Sequence, residues 1–174
     1  LFRDDLYAKG TKNEKITIER IDYILSKEVT QNIFEFDVTE KDEIILLLSQ
    51  VGFHWGLDSN ERLGEEKNSL EWCINRIILG LIYDKEINLS TFNLKPFSPK
   101  NISLDLNKWV KILINLKKYI NLLRGSFSYL VWVEKINFIL KEISCCNTKY
   151  NLEISEVIRI LDNYAIPLIP DDPI

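Results

Sequence analysis

The run VGFHWGLD at residues 51–58 sets His54, the single histidine of the chain, beside Trp55, two glycines and Asp58. That set could move a proton or hold a ligand. A histidine acts as a general base only beside a nucleophile or an acid partner, and no second histidine exists to build a dyad. A second constellation, Asp58 followed by Glu65-Glu66-Lys67, has the acid, acid-x-lysine order of many metal-dependent nucleases. Those enzymes carry the acids on adjacent strands so that they converge on Mg²⁺, whereas this run falls in a polar interhelical stretch. Asp58-Ser59-Asn60 is also the kind of sequence that caps or turns a chain. No residue is therefore assigned a catalytic role.

Other chemistries lack their parts. There is no G-x-x-x-x-G-K-[ST] loop to cradle a nucleotide and no G-x-S-x-G elbow to present a serine nucleophile. Cys73, Cys145 and Cys146 form no C-x-x-C spacing, and with one histidine they leave too few soft ligands for a structural zinc. No metal and no cofactor is expected. The odd cysteine count fits a reducing cytoplasm better than a secreted disulfide scaffold.

The elements that would position these residues are helices. With 174 residues, 46% hydrophobic and 28% charged, the chain reads as one all-α domain, an irregular multi-helix bundle over residues 1–174. A net charge of -4 argues against strong autonomous binding to a phosphate backbone. No apolar run approaches the roughly 20 residues of a membrane span. The polar opening LFRDDLYAKGTKNEK and the absence of methionine suggest a piece of a larger protein.

Helical spacing predicts a first helix over 17–27 with Thr17 as N-cap, and a short turn over 30–34. A helix from Thr39, capped with Asp42, ends at Gly52, where a left-handed cap belongs. Phe53 and Trp55 would then fold back on it. The next helix, over 69–83, takes Asn68 as N-cap and Glu71 as the capping-box partner. On its second stripe Trp72, Arg76, Leu79 and Tyr83 align, so that Arg76 lies against the Trp72 ring. The stretch 84–101, with Pro96 and Pro99, reads as a long surface connection.

Two longer helices follow, over 105–124 and 127–144, the second capped by Ser126. The first buries Leu106, Trp109, Leu113, Leu116, Ile120 and Leu123 and turns Lys108, Lys111 and Lys118 outward. Those three are candidate DNA contacts, though a solvated face is the favoured explanation, since three lysines in a net acidic chain are what any exposed helix shows. The second buries Tyr129, Trp132, Val133, Ile136, Leu140 and Ile143, and carries another apolar line, Phe127, Val131 and Phe138, a candidate interface. Trp55, Trp109 and Trp132 are expected mostly buried. A last helix over 155–163 leads into Pro167, Pro170 and Pro173.

Two segments carry a family signal, IERIDYILSKEVTQNIFEFDVTEKDEIILLLSQVGFHWGLD and NSLEWCINRIILGLIYD. They resemble the RecC family, the gamma subunits of exodeoxyribonuclease V. There a helix ends in Gly-Ile-Arg-Trp-Gly-[Ile/Leu]-Asp, similar to Gly52-Phe53-His54-Trp55-Gly56-Leu57-Asp58, and the next begins near Asn-Thr-Trp and runs through an arginine and a glycine that match Arg76 and Gly80. The sequence departs at His54, Leu70 and Cys73, where the family has arginine, tryptophan and glycine. The resemblance implies the helical accessory lobe, called 2B, of a superfamily 1 helicase-like protein that has kept the shape and lost the ATPase. Its partners would be companion helicase and nuclease subunits of the RecBCD type in the cytoplasm, with DNA met through the full complex and no membrane. VGFHWGLD then becomes a structural junction and His54 no active-site residue. The rival readings are a helical protein-interaction module with no DNA role, and an autonomous nuclease using Asp58, Glu65 and Lys67.

Overall fold

The computed structural model describes residues 15–83, 94–99, 104–125, 127–146 and 151–165. Among them are seven helices and no strand: α1 (Ile18–Leu25), α2 (Glu28–Phe34), α3 (Val38–Val51), α4 (Leu70–Ile82), α5 (Leu106–Leu122), α6 (Tyr129–Cys146) and α7 (Asn151–Ala165). The architecture is all-α, as the periodicity predicts. The chain divides into two compact units, Leu1–Lys117 and Lys118–Ile174, with the division inside α5.

In the first unit α1 packs on α2 and α3, and α3 on α4. Ile21, Leu25, Ile44, Leu47, Leu48, Val51, Leu57, Leu70 and Trp109 are removed from solvent altogether. Phe36 meets Trp109 with ring centroids 4.8 Å apart. At the edge of this core Lys41 bridges Asp22 at 2.7 Å and Asp42 at 2.9 Å. The hydrogen bond to Asp22, ahead of that to Asp42, raises the ammonium pKa above its ordinary value.

Two N-caps differ from the sequence reading. Asp37, not Thr39, starts α3: its side chain accepts from Glu40 N at 2.8 Å, and Glu40 reaches back to Asp37 N at 3.2 Å. Ser69, not Asn68, caps α4 through Trp72 N at 3.2 Å, because Asn68 takes a left-handed φ of 66°. Thr17 has the extended backbone of an N-cap but makes no side-chain cap bond. Helix α7 begins four residues before the expected start; the Ser126 cap and the three tail prolines lie outside the described residues.

In the second unit α6 packs on α7, and Val133, Ile139 and Ile143 of α6 and Ile154 of α7 are buried. Asn137, buried on α6, donates through Nδ2 to Asp162 on α7 at 2.8 Å, while its buried Oδ1 finds no partner among the described residues. Of the three tryptophans expected inside, Trp109 is fully buried while Trp55 and Trp132 are half-buried.

Candidate functional site

The run 51–58 is built from backbone hydrogen bonds. At the end of α3 Gly52, at φ 96°, donates to Ser49 O and Phe53 donates to Leu48 O, the paired bonds of a Schellman cap that only a left-handed residue can close. Beyond the cap the chain is tied to two elements at once. Gly56 N donates to Ile16 O at 2.7 Å, just before α1, and Trp55 forms an antiparallel bridge with Thr17. On the other side His54 N donates to Asn68 O, Leu70 N to Gly56 O and Glu71 N to Leu57 O, at 3.0, 2.9 and 2.9 Å. The last two, with the Ser69 cap, satisfy the N–H groups of Leu70, Glu71 and Trp72 at the start of α4. These donors would otherwise attract an anion. Here they hold the junction.

The side chains follow. His54 points to solvent and contributes its backbone. Asp58 accepts from Asn60 N at 2.9 Å and Glu61 N at 3.4 Å, the turn role its sequence context suggests. Glu65 pairs with Arg62 at 3.6 Å, and Lys67 is exposed. Asp58 and Glu65 thus have separate partners, Lys67 lies in solvent, and no group of three or more His, Cys, Asp or Glu among the described residues is placed to hold a metal ion. Arg62 is the residue sequence reasoning missed: only 8% exposed, it donates to Trp55 O at 3.0 Å and stacks 4.6 Å from the Trp55 ring, which Lys15 also meets at 4.3 Å.

Arg76 organises the opposite side of the junction. From the middle of α4 it donates through Nη1 to Val51 O at 2.5 Å and through Nε to Lys95 O at 2.8 Å. Its guanidinium lies 4.6 Å from the Trp72 ring, as the i, i+4 spacing predicts, and 5.6 Å from Phe97. Residues 95–99 are therefore not a loose connection. Phe97 N donates to Arg76 O at 3.0 Å, Pro96 is buried, and the strap crosses α4 at Gly80, where a Cβ would run into the carbonyl of Phe97. A glycine inside a strong helical pattern was the signal for that approach. Burial lowers the Arg76 pKa, but an arginine stays charged at any physiological pH.

The candidate lysines separate. Lys108 donates to Glu35 O at 2.6 Å and pairs with Glu40 at 3.1 Å, tying α5 to the left-handed corner between α2 and α3. Lys111 is exposed. Lys118, in the second unit, pairs with Glu142 at 2.7 Å and lies 4.9 Å from the Phe138 ring. The apolar line on α6 is accordingly part-covered by cations. Phe127 packs edge-on against Trp132 at 5.5 Å with Lys135 3.5 Å from its ring, Val131 is half-buried, and Phe138 is 44% exposed.

Compared with known proteins, residues 11–166 match the family model described as RecBCD enzyme subunit RecC fourth domain. No curated protein matches the chain. Among the described residues no helix is long and apolar enough to cross a membrane.

Proposed function

The chain belongs to the RecC fourth-domain family, and on that premise we propose that it is a non-catalytic domain of the RecC-type subunit of a RecBCD-type helicase and nuclease complex in DNA repair and recombination. Its part is to scaffold the assembly and guide DNA while companion subunits supply motors and nuclease. The observation that carries the non-catalytic part is the way the signature residues are engaged. Arg76, Trp55 and Asp58 bind carbonyls, cations and backbone N–H groups of their own domain, and the first N–H groups of α4 are satisfied within it.

Contact with the rest of the assembly is assigned to the α6 face bearing Val131 and Phe138, with Lys118 and Lys135 beside it. An apolar face interleaved with cations suits a protein surface of mixed polarity. Lys111 is the best placed of the three lysines for phosphate, since Lys108 and Lys118 already hold carboxylates. The experiment is reconstitution of the full complex with Val131→Asp, Lys111→Glu or His54→Ala. Weakened assembly with Val131→Asp, and a small salt-dependent loss of DNA affinity with Lys111→Glu, support the reading. Assembly indifferent to Val131→Asp removes the assigned interface.

A further inference from the structure

Lys15, Ile16 and Thr17, the first described residues, are pinned to the run 51–58 by backbone and side chains together. Ile16 is buried and its carbonyl accepts from Gly56 N at 2.7 Å, while Thr17 makes the antiparallel bridge with Trp55. Lys15 Nζ lies 4.3 Å from the centre of the Trp55 ring. Arg62 fixes that ring from within the domain: its guanidinium lies 4.6 Å from the same centre and donates to Trp55 O at 3.0 Å. The pairing sets direction as well as position, because each residue has only two soft dihedrals and a bridge settles them. A chain entering here reaches α1 along one path.

The family match begins at residue 11, four positions before Lys15. Fully extended, that much chain spans at most about 14 Å. The matched family is numbered as a fourth domain, so in a RecC-type subunit earlier polypeptide joins this domain within that reach of the Trp55 contact. We propose that Trp55 and Gly56 form a receiver for the entering polypeptide, and that the receiver holds the preceding domain of the same subunit in one placement against α3 and α4. The receiver is built into both helices. Gly52 caps α3 just before it, and Gly56 O and Leu57 O accept the first N–H groups of α4 just after it. Released from Trp55, the tether would run from residue 11 to Ile18, the first residue of α1, and its reach would rise to about 25 Å. The contact therefore decides whether the two parts of the subunit are joined by a short, directed link or by a slack one. This inference rests on the RecC reading given above and deepens it, giving the run 51–58 a positioning role within the subunit.

The test uses the complete RecC-type subunit with two spin-labelled amino acids, one at Gln50, exposed on α3, and one in the preceding domain. Pulsed electron resonance gives the distribution of distances between them in the parent, in Trp55→Ala and in Lys15→Ala. Hydrogen exchange at the Gly56 amide reports the contact itself. The parent should give one narrow distribution. Trp55→Ala should quicken Gly56 exchange at least about tenfold and broaden the distribution by up to about 10 Å, the reach of the freed residues. Lys15→Ala removes an exposed side chain, so the fold holds and a smaller broadening in the same direction is expected. A broad distribution in the parent overturns the proposal. So does one that stays narrow in Trp55→Ala while Gly56 exchange quickens, and so does Gly56 exchange that Trp55→Ala leaves unchanged. If Trp55→Ala melts the domain, Lys15→Ala decides, and a distribution it leaves unaltered counts against the receiver. Assembly with companion subunits and DNA unwinding are scored on the unlabelled parent. Failure there beside a narrow distribution that the variants broaden removes the RecC reading and not the receiver.

Discussion

Arg76, in the middle of α4, donates through Nη1 to the carbonyl of Val51, the last residue of α3, across 25 positions of sequence. A cation at that carbonyl also complements the negative end of the α3 dipole. The same guanidinium holds Lys95 O and the Trp72 ring, so one side chain fixes two helices and a strap.

Arg76→Ala removes two charge-assisted hydrogen bonds and a cation–aromatic contact, and we expect a loss of about 3 kcal/mol. It should show as a lower urea midpoint with an unchanged slope. Arg76→Lys keeps the charge, but one ammonium does not span two carbonyls in separate directions, so only part of the loss returns. An alanine variant as stable as the parent would show that the clamp is incidental.

At Gly80 two effects oppose each other. Helix propensity favours alanine by about 1 kcal/mol, but the added Cβ collides with the carbonyl of Phe97. We expect the collision to win, with net destabilisation and faster proteolysis at 95–99. A stabilised Gly80→Ala protein would mean that the strap does not lie on α4.

The capping box gives a paired comparison. Asp37→Ala should cost about 1 kcal/mol, while Thr39→Ala, at an exposed position in the first turn, should stay within about 0.5 kcal/mol. Thermal midpoints measured side by side decide it, and the reverse order would restore the cap read from sequence.

These cases show which information was local. Helical periodicity made the elements legible, and Gly52 and the Trp72–Arg76 stripe followed from it directly. Asp37 with Glu40 and Thr39 with Asp42 share one spacing two positions apart, and the glutamate in the third position was the local signal that favours Asp37. Asn68 and Ser69 are adjacent cap formers, and only the left-handed backbone of Asn68 separates them. The partners of Lys108 and Lys118 lie 68 and 24 positions away, so their ion pairs are beyond the reach of any local rule. The strap and the Arg62–Trp55 stack are tertiary in the same sense.

Burial pushes the Cys73 thiol from an ordinary 9.0 up to about 12, against weaker opposing pulls from Arg76 and Arg62. Its folded pKa exceeds its unfolded one, so the contribution is fully present below pH 9.0 and is lost as pH rises toward about 12, where the unfolded chain binds fewer protons. We expect the Cys73 peptide to resist alkylation at pH 8 until the protein unfolds, and stability to decline above pH 9.0 less steeply in Cys73→Ala. Ready alkylation of the native protein would contradict that burial.

The most direct test of the structural reading of VGFHWGLD is the ATP-driven DNA unwinding rate of the reconstituted RecBCD-type complex carrying His54→Ala. The His54 side chain is exposed and only its backbone holds the junction, so the rate should stay close to that of the parent complex. Loss of unwinding in a variant that folds and assembles normally would make His54 a functional residue and contradict the assignment of the run as a junction.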